Sequence, residues 1–198
     1  MIDTLLLPHY QKWIKPIIER LDLKRNITPN RITTLALSSG IVAGCMLWFK
    51  CLIAAFIVLL ISGICDVLDG ALARQRDLQS SWGCAYDIVG DRIVEVAVIL
   101  GLYAFSPHTR ATLCLFMLAS ALLCLTSFFV VGMMSQNSGQ KSFHYSLGIV
   151  ERFECFLLFF AMIIFPKYFS VLALVFILLV SLTAVIRMWQ FYKIAERY

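Results

Sequence analysis

Six long apolar segments are the feature that most restricts how this chain can fold. They lie at about residues 31–49, 52–73, 83–105, 111–134, 150–166 and 169–190. Each is close to the roughly 17 to 25 residues that a helix needs to cross a bilayer. The composition agrees, because only 15% of the residues are charged, against about 25% in soluble domains. The sequence predicts an all-α integral membrane protein, with one bundle of six transmembrane helices over residues 29–198.

The positive charges predict how the bundle is oriented. Cytoplasmic connections of membrane proteins carry an excess of lysine and arginine. If both termini and the second and fourth connections face the cytoplasm, only Lys50, Arg110 and Lys167 of the 17 lysines and arginines lie on the other side. A bacterial inner membrane location with cytoplasmic termini follows. The net charge of +5 suits an anionic lipid surface, and without a soluble basic domain we expect no nucleic acid binding.

Residues 1–28 are predicted to form an amphipathic helix at the cytoplasmic membrane interface. Apolar side chains recur there at steps of three and four, with charged residues between them. The apolar set is Tyr10, Trp13, Ile14, Ile17, Ile18 and Leu21. A helix of this kind lies in the interface plane with its aromatic rings at headgroup level. Thr28 and Pro29 then form the N-cap and first turn of the first span.

Four aspartates occur at helical spacing within the apolar segments. Asp66 and Asp69 are three residues apart near the end of the second segment, and Asp87 and Asp91 are four apart near the start of the third. On a helix each pair shares one face, and the predicted orientation puts both pairs at the cytoplasmic surface. Charges within a membrane span are costly and mark functional sites. Two divalent cations would balance four carboxylates, and oxygen ligands favour Mg²⁺ or Mn²⁺.

Two glycines and an arginine close to these aspartates favour the binding of a phosphate group beside them. Gly70 and Gly83 each remove side-chain bulk beside an aspartate pair, so that a large ligand can approach the backbone. Arg74 adds a guanidinium whose geometry suits phosphate oxygens. A divalent-cation transporter is the alternative of another class. A cation pathway has no need of Arg74, whereas a diphosphate does. Glu95, one turn beyond Asp91, is interpreted as a supporting residue or a partner of another helix.

The spacing of these residues resembles the complete signature of the CDP-alcohol phosphatidyltransferases. The matching run is Asp66-x2-Asp69-Gly70-x2-Ala73-Arg74-x8-Gly83-x3-Asp87-x3-Asp91. The resemblance implies a metal-dependent enzyme that transfers a phosphatidyl group from a CDP-linked lipid donor, CDP-diacylglycerol, to the hydroxyl of a small alcohol acceptor. CMP is released. Dimers are common in this family, so the resemblance also allows a homodimer.

The resemblance further implies a role for each motif residue. The ligands of two divalent cations, Mg²⁺ or Mn²⁺, would be Asp66, Asp69, Asp87 and Asp91. Asp91 would also be the general base that accepts the proton of the acceptor hydroxyl. The nucleotide would be bound by Asp66, Gly70, Ala73, Arg74 and Gly83.

The acceptor has to be selected by residues outside the motif. Family members that use polyol phosphates tend to carry a basic cluster at the end of the fourth helix, where residues 130–135 of this chain contain no lysine or arginine. Against this, Arg152 and Arg187 end two stretches that resemble the places where the family puts basic residues facing the acceptor pocket. Together with Lys141 they can bind a phosphate. We favour a polyol phosphate such as glycerol 3-phosphate or inositol phosphate. The alternative is an unphosphorylated acceptor such as serine or an amino alcohol.

Structural roles remain open for two of these cations. Arg152 can pair with Glu151 or Glu154, which are close in sequence. Arg187 can be an interfacial cation that extends its side chain to water.

Overall fold

The computed structural model describes residues 28–137 and 152–196, which form six α-helices and one short 3-10 helix. The helices are α1 (Pro29–Trp48), α2 (Leu52–Gln75), α3 (Ser81–Phe105), α4 (Pro107–Asn137), α5 (Arg152–Ile164) and α6 (Phe169–Ala195), with the 3-10 helix at Pro166–Tyr168. Each α-helix coincides with one predicted apolar segment to within a few residues. The described residues contain no strand, so the all-α prediction is confirmed.

Four helical segments have the length and apolar character of membrane spans. They are Pro29–Trp48, Leu52–Gln75, Pro107–Met134 and Pro166–Lys193, and they show an integral membrane protein. The helix α3 has 25 residues but is not one of these four segments, because four charged residues occur close together along it: Asp87, Asp91, Arg92 and Glu95. The helix α5 has 13 residues, about 20 Å of helix, which is shorter than the ~30 Å hydrocarbon core. Membrane crossing by α3 and α5 stays a prediction. The predicted interfacial helix lies outside the described residues, apart from Thr28.

Local sequence explains where several helices begin and end. Thr28 is the extended N-cap of α1, and Pro29 occupies its first turn, where a missing backbone N–H costs no hydrogen bond. The hydroxyl of Ser80 caps α3 by accepting a hydrogen bond from the backbone N–H of Gly83 at 3.0 Å. Lys50, with φ of 60°, makes the tight turn between α1 and α2. Residues 76–80 form the short loop between the end of α2 and the start of α3. The two aspartate pairs lie near these two helix ends.

The described residues divide into two compact units, which we call the N-terminal unit (residues 28–111) and the C-terminal unit (residues 112–137 and 152–196). In the N-terminal unit, α1 packs against both α2 and α3. The hydroxyl of Ser62 on α2, which is fully buried, donates to the carbonyl of Ala36 on α1 at 2.7 Å. The hydroxyls of Thr34 on α1 and Tyr86 on α3 lie 3.1 Å apart and share a hydrogen bond. Both polar links fix neighbouring helices to α1.

Glycines allow α1 and α3 to approach each other closely. A Cβ atom added to Gly44 would lie 2.4 Å from the carbonyl oxygen of Ala97, and one added to Gly101 would lie 2.4 Å from the carbonyl oxygen of Gly44. Neither position has room for a methyl group. Small residues at helix contacts are a common way for membrane helices to pack.

In the C-terminal unit, aromatic packing joins α5 to α6. The rings of Phe159 and Phe176 stack with centroids 5.5 Å apart, and neither side chain is more than 1% exposed. A buried arginine on α6, Arg187, is hydrogen-bonded to α4. Among the side chains described there, the unit thus combines an apolar interior with the buried cation of Arg187.

Candidate active site

Three aspartates from two helices come together in the N-terminal unit. Asp66 and Asp69 are contributed by the last three turns of α2, and Asp87 by the second turn of α3. Each offers a carboxylate oxygen that lies within 4.8 Å of the other two. The structure thus brings three of the four motif aspartates together from two helix ends.

The surroundings of this aspartate trio suit a divalent cation. Asp69 is only 5% exposed, and Asp66 and Asp87 are half-buried. Carboxylates this close repel one another, and burial adds a desolvation cost for each charge. A divalent cation would relieve both. Because the donor atoms are all carboxylate oxygens, the residues fit a hard ion such as Mg²⁺ or Mn²⁺.

Arg74 lies close to Gly70. A Cβ atom built on Gly70 would be 3.4 Å from Nη1 of Arg74, so the guanidinium folds back along α2 toward the aspartates. A methyl group at position 70 would be in van der Waals contact with this guanidinium. At the start of α3, an added Cβ on Gly83 would be 3.0 Å from the Ser80 hydroxyl oxygen and 3.4 Å from the side-chain oxygen of Asn30. The two motif glycines thus leave backbone accessible beside polar groups.

Asp91 lies one turn beyond Asp87 on α3 and is half-buried. It does not belong to the close trio of carboxylates among the described residues. One further turn along, Glu95 is 6% exposed and forms an ion pair with Arg92 of the same helix. The role of Glu95 as a supporting residue or a partner of another helix stays a prediction, and its partner Arg92 was not identified from the sequence.

Arg187 is the predicted acceptor-binding residue whose side chain is described. It is 9% exposed, and its Nη1 donates to the Cys124 carbonyl at 3.0 Å and to the Ser127 hydroxyl at 3.2 Å. The guanidinium carbon lies 5.3 Å from the centre of the Phe128 ring. Burial and hydrogen bonds on α4 show that Arg187 is not an interfacial cation extended to water. Its Nε is buried and has no hydrogen-bond partner among the described residues.

The other two predicted acceptor-binding residues cannot be placed in the same way. Lys141 lies outside the described residues, and Arg152 begins α5 with its side chain outside them. Their roles stay predictions.

Comparison with known proteins identifies the family. The family model for CDP-alcohol phosphatidyltransferases matches residues 26–192. This chain belongs to the CDP-alcohol phosphatidyltransferase family. Among its curated relatives, the inner membrane protein YnjF of Escherichia coli (strain K12) is 31% identical over 199 residues, which cover 97% of this chain and 96% of YnjF. The phosphatidylinositol phosphate synthase of Mycolicibacterium smegmatis is 28% identical over 73% of this chain and 64% of that enzyme.

Solved structures show the same fold as this CDP-alcohol phosphatidyltransferase. The crystal structure of Mycobacterium tuberculosis phosphatidylinositol phosphate synthase (PgsA1) with CDP-DAG bound has a TM-score of 0.72 at 23% identity, covering 90% of this chain and 93% of that one. A second PgsA1 structure, in complex with manganese and citrate, has a TM-score of 0.72 at 23% identity, covering 90% of this chain and 88% of that one. At this level of identity, the likeness establishes the fold.

Sequence reasoning missed the residues that hold Arg187. Ser127 donates to the Cys124 carbonyl at 2.7 Å while it accepts from Arg187. A serine within an apolar segment is a weak signal, because such a hydroxyl usually bonds within its own helix. A backbone carbonyl carries no side-chain signal at all.

Proposed function

We propose that this protein transfers the phosphatidyl group of CDP-diacylglycerol to the hydroxyl of a polyol phosphate, with release of CMP. The acceptor oxygen forms a bond to the lipid-bearing phosphorus. The bond between that phosphorus and the bridging oxygen of the diphosphate breaks, and the bridging oxygen leaves on CMP. The observation that carries this proposal is the aspartate trio with Arg74 beside it, because this combination suits a metal-bound diphosphate.

Asp66, Asp69 and Asp87 are the residues we propose to hold the divalent cations, together with Asp91. Bound there, two divalent cations would neutralise negative charge on the diphosphate and stabilise the CMP leaving group. Support comes from the all-oxygen donor set of the trio and from the manganese in the related PgsA1 structure.

Asp91 is the proposed general base. It shares a helix face with Asp87 and lies one turn further from the start of α3, outside the close trio. The carboxylate would accept the proton of the acceptor hydroxyl as the new bond to phosphorus forms. Arg74 would orient the diphosphate through its paired N–H donors. The nucleotide would lie along Asp66, Gly70, Ala73, Arg74 and Gly83.

The acceptor phosphate is assigned to Arg187, with Lys141 and Arg152 as further predicted contacts. A buried guanidinium with one edge held by α4 is ready to bind an anion with the other edge. The synthases named among the relatives make phosphatidylinositol phosphate, which agrees with a polyol phosphate acceptor. The absence of lysine and arginine from residues 130–135 favours serine or an amino alcohol as the second candidate.

We place the active site and both termini on the cytoplasmic side of the inner membrane. The distribution of lysine and arginine supports this orientation, as does the description of the E. coli relative YnjF as an inner membrane protein. A soluble acceptor would then meet a donor whose acyl chains stay in the bilayer. A homodimer stays a prediction.

The proposal is tested by CMP release from labelled CDP-diacylglycerol, with the purified protein in liposomes. We expect release with a polyol phosphate, in the presence of Mg²⁺ or Mn²⁺, and a loss of about 100-fold or more in Asp91→Asn. Asp77→Asn is the matched control. It makes the same change at an exposed loop residue with φ of 51°, a conformation that asparagine tolerates.

The acceptor screen compares glycerol 3-phosphate, inositol 1-phosphate, free inositol, serine and unphosphorylated amino alcohols. Turnover with serine or an amino alcohol alone would replace the polyol phosphate by the second candidate. Divalent-cation flux through the liposome membrane without any CMP release would reject the transferase and favour the transporter.

A further inference from the structure

Gly90 on α3 differs from the glycines that pack α3 against α1. Gly90 is buried, yet a Cβ atom added to it would have no atom of the described residues within 4 Å, apart from its chain neighbours and the backbone of its own helix. At Gly40, Gly44 and Gly101, an added Cβ would lie 2.4 Å from another residue. Those three glycines are required by close packing, whereas Gly90 has open space beside it.

Among the described residues, no packing contact requires a glycine at position 90. Glycine is a poor residue for a helix interior because it loses the most backbone freedom on folding, and alanine is the best. An alanine methyl group would fit at Gly90 without a clash, and it would favour the helix. Glycine at position 90 therefore keeps this space open but makes the helix less stable than alanine would. A ligand that enters the space would explain why glycine is present.

The position of Gly90 indicates which part of a ligand would enter. Gly83, Asp87 and Gly90 follow one another at steps of four and three residues, so they share one face of α3. With a rise of 1.5 Å per residue, Gly83 and Gly90 are about 10 Å apart along the helix. Gly83 lies at the polar start of α3, Asp87 lies in the aspartate trio, and Gly90 lies further into the apolar part of the helix.

A CDP-linked lipid has three parts in the same order. The nucleotide is its most polar end, the diphosphate is the part that metals bind, and the glycerol that carries the acyl chains comes next. We propose that the space beside Gly90 accommodates the glycerol and first acyl carbons of the CDP-diacylglycerol donor. Gly90 is then a specificity-determining residue for the lipid part of the donor. This inference rests on the proposed function, since it requires that the diphosphate binds at the aspartate trio.

Gly90→Ala and Gly90→Leu test this role in the full-length protein in liposomes. Three quantities are measured: the thermal midpoint, the binding of CDP without lipid, and the kinetics with CDP-diacylglycerol. We expect Gly90→Ala to leave the midpoint unchanged or raise it by about 2 to 4 °C. The KM for CDP-diacylglycerol should rise about tenfold in Gly90→Ala and on the order of 100-fold in Gly90→Leu, because added bulk excludes the glycerol.

Binding of CDP and the KM of the acceptor should stay at the wild-type values in both variants. Val89→Leu is the matched control, because it adds bulk to the neighbouring residue of α3, which is 56% exposed. It should change none of the three quantities.

The outcomes separate this inference from the proposed function. If the wild-type protein releases CMP but Gly90→Leu keeps its KM for CDP-diacylglycerol, the role of Gly90 is rejected and the transferase stands. A lower thermal midpoint in Gly90→Ala would show a packing role instead and would also reject the inference. Equal losses of CDP and CDP-diacylglycerol binding would show that the nucleotide occupies this space, and they would reject the inference. A wild-type protein that releases no CMP would reject both proposals.

Discussion

The candidate site of the N-terminal unit is a cluster of carboxylates, whereas the candidate site of the C-terminal unit is a buried guanidinium held by hydrogen bonds. In the N-terminal unit, three carboxylates converge from α2 and α3 to within 4.8 Å of one another, so the site is made by several like charges that a cation can join. In the C-terminal unit, the buried guanidinium of Arg187 is held by a carbonyl and a hydroxyl of α4. The first arrangement suits metals and a leaving group, and the second suits one anionic group. We therefore expect the first to govern turnover and the second to govern acceptor affinity.

The largest effect is expected from Asp69→Asn in the N-terminal unit. Loss of one carboxylate from the trio would weaken metal binding and remove charge that holds the cations, so kcat should fall on the order of 100-fold or more. The metal concentration for half-maximal activity should also rise. Both are measured by titration with Mn²⁺ at saturating donor and acceptor. Wild-type kcat and an unchanged metal titration would show that Asp69 is not a ligand.

Arg187→Ala should produce a different kind of loss. A hydrogen-bonded charge pair contributes about 1.5 to 3 kcal/mol, so the KM for a polyol phosphate should rise roughly 10- to 100-fold. The KM for CDP-diacylglycerol should stay unchanged. Arg187→Lys should recover part of the affinity, because it restores the charge without the paired N–H donors. A fall in kcat with no change in acceptor KM would contradict the contrast between the units.

Ser127→Ala tests whether the hydrogen bonds to α4 position the guanidinium of Arg187. The change removes one hydrogen-bond acceptor from Arg187, which is worth about 1 kcal/mol, so the acceptor KM should rise about fivefold. Thr126→Val is the matched control, since the Thr126 hydroxyl bonds only to the Leu122 carbonyl of its own helix among the contacts described. Equal effects of the two changes would argue against a positioning role for Ser127.

The smallest effect is expected from Thr34→Val, which removes the hydroxyl contact between α1 and α3. This contact is exposed, so its loss should lower the free energy of unfolding by about 0.5 to 1 kcal/mol. The thermal midpoint should fall by about 1 to 4 °C, with kcat within about twofold of the wild type. A large loss of kcat would show that the α1–α3 contact also shapes the aspartate site.

The helices, and the pairing of the aspartates on one face of each helix, could be predicted from the sequence for a physical reason. Apolar segments of membrane length and carboxylates at steps of three and four are properties of single helices, so they are visible along the chain. The meeting of Asp66, Asp69 and Asp87 is also short-range along the chain, because one short loop joins the two helix ends. Contacts between helices far apart in sequence were not predictable. The bond from Arg187 to the Cys124 carbonyl spans 63 residues and involves an atom that every residue possesses.

The open space beside Gly90 could not be predicted for a related reason. A glycine in a membrane helix is usually a packing residue, and the sequence alone does not distinguish Gly90 from Gly44. The difference appears only when the neighbouring helix is in place, because it fills the space at one glycine and leaves it open at the other.

The central position of α1 gives it control over a site to which it contributes no aspartate. Because α2 and α3 each pack on α1, the gap between their carboxylates depends on how closely each of them approaches α1. Gly40 and Gly44 allow the close approach of α3 to α1 and so help to set the distance between the aspartates of α2 and α3. A bulkier residue there would spread the carboxylates apart while leaving every motif residue intact. Inactivating changes in this protein should therefore also be found along α1, a full helix away from the signature that identifies its family.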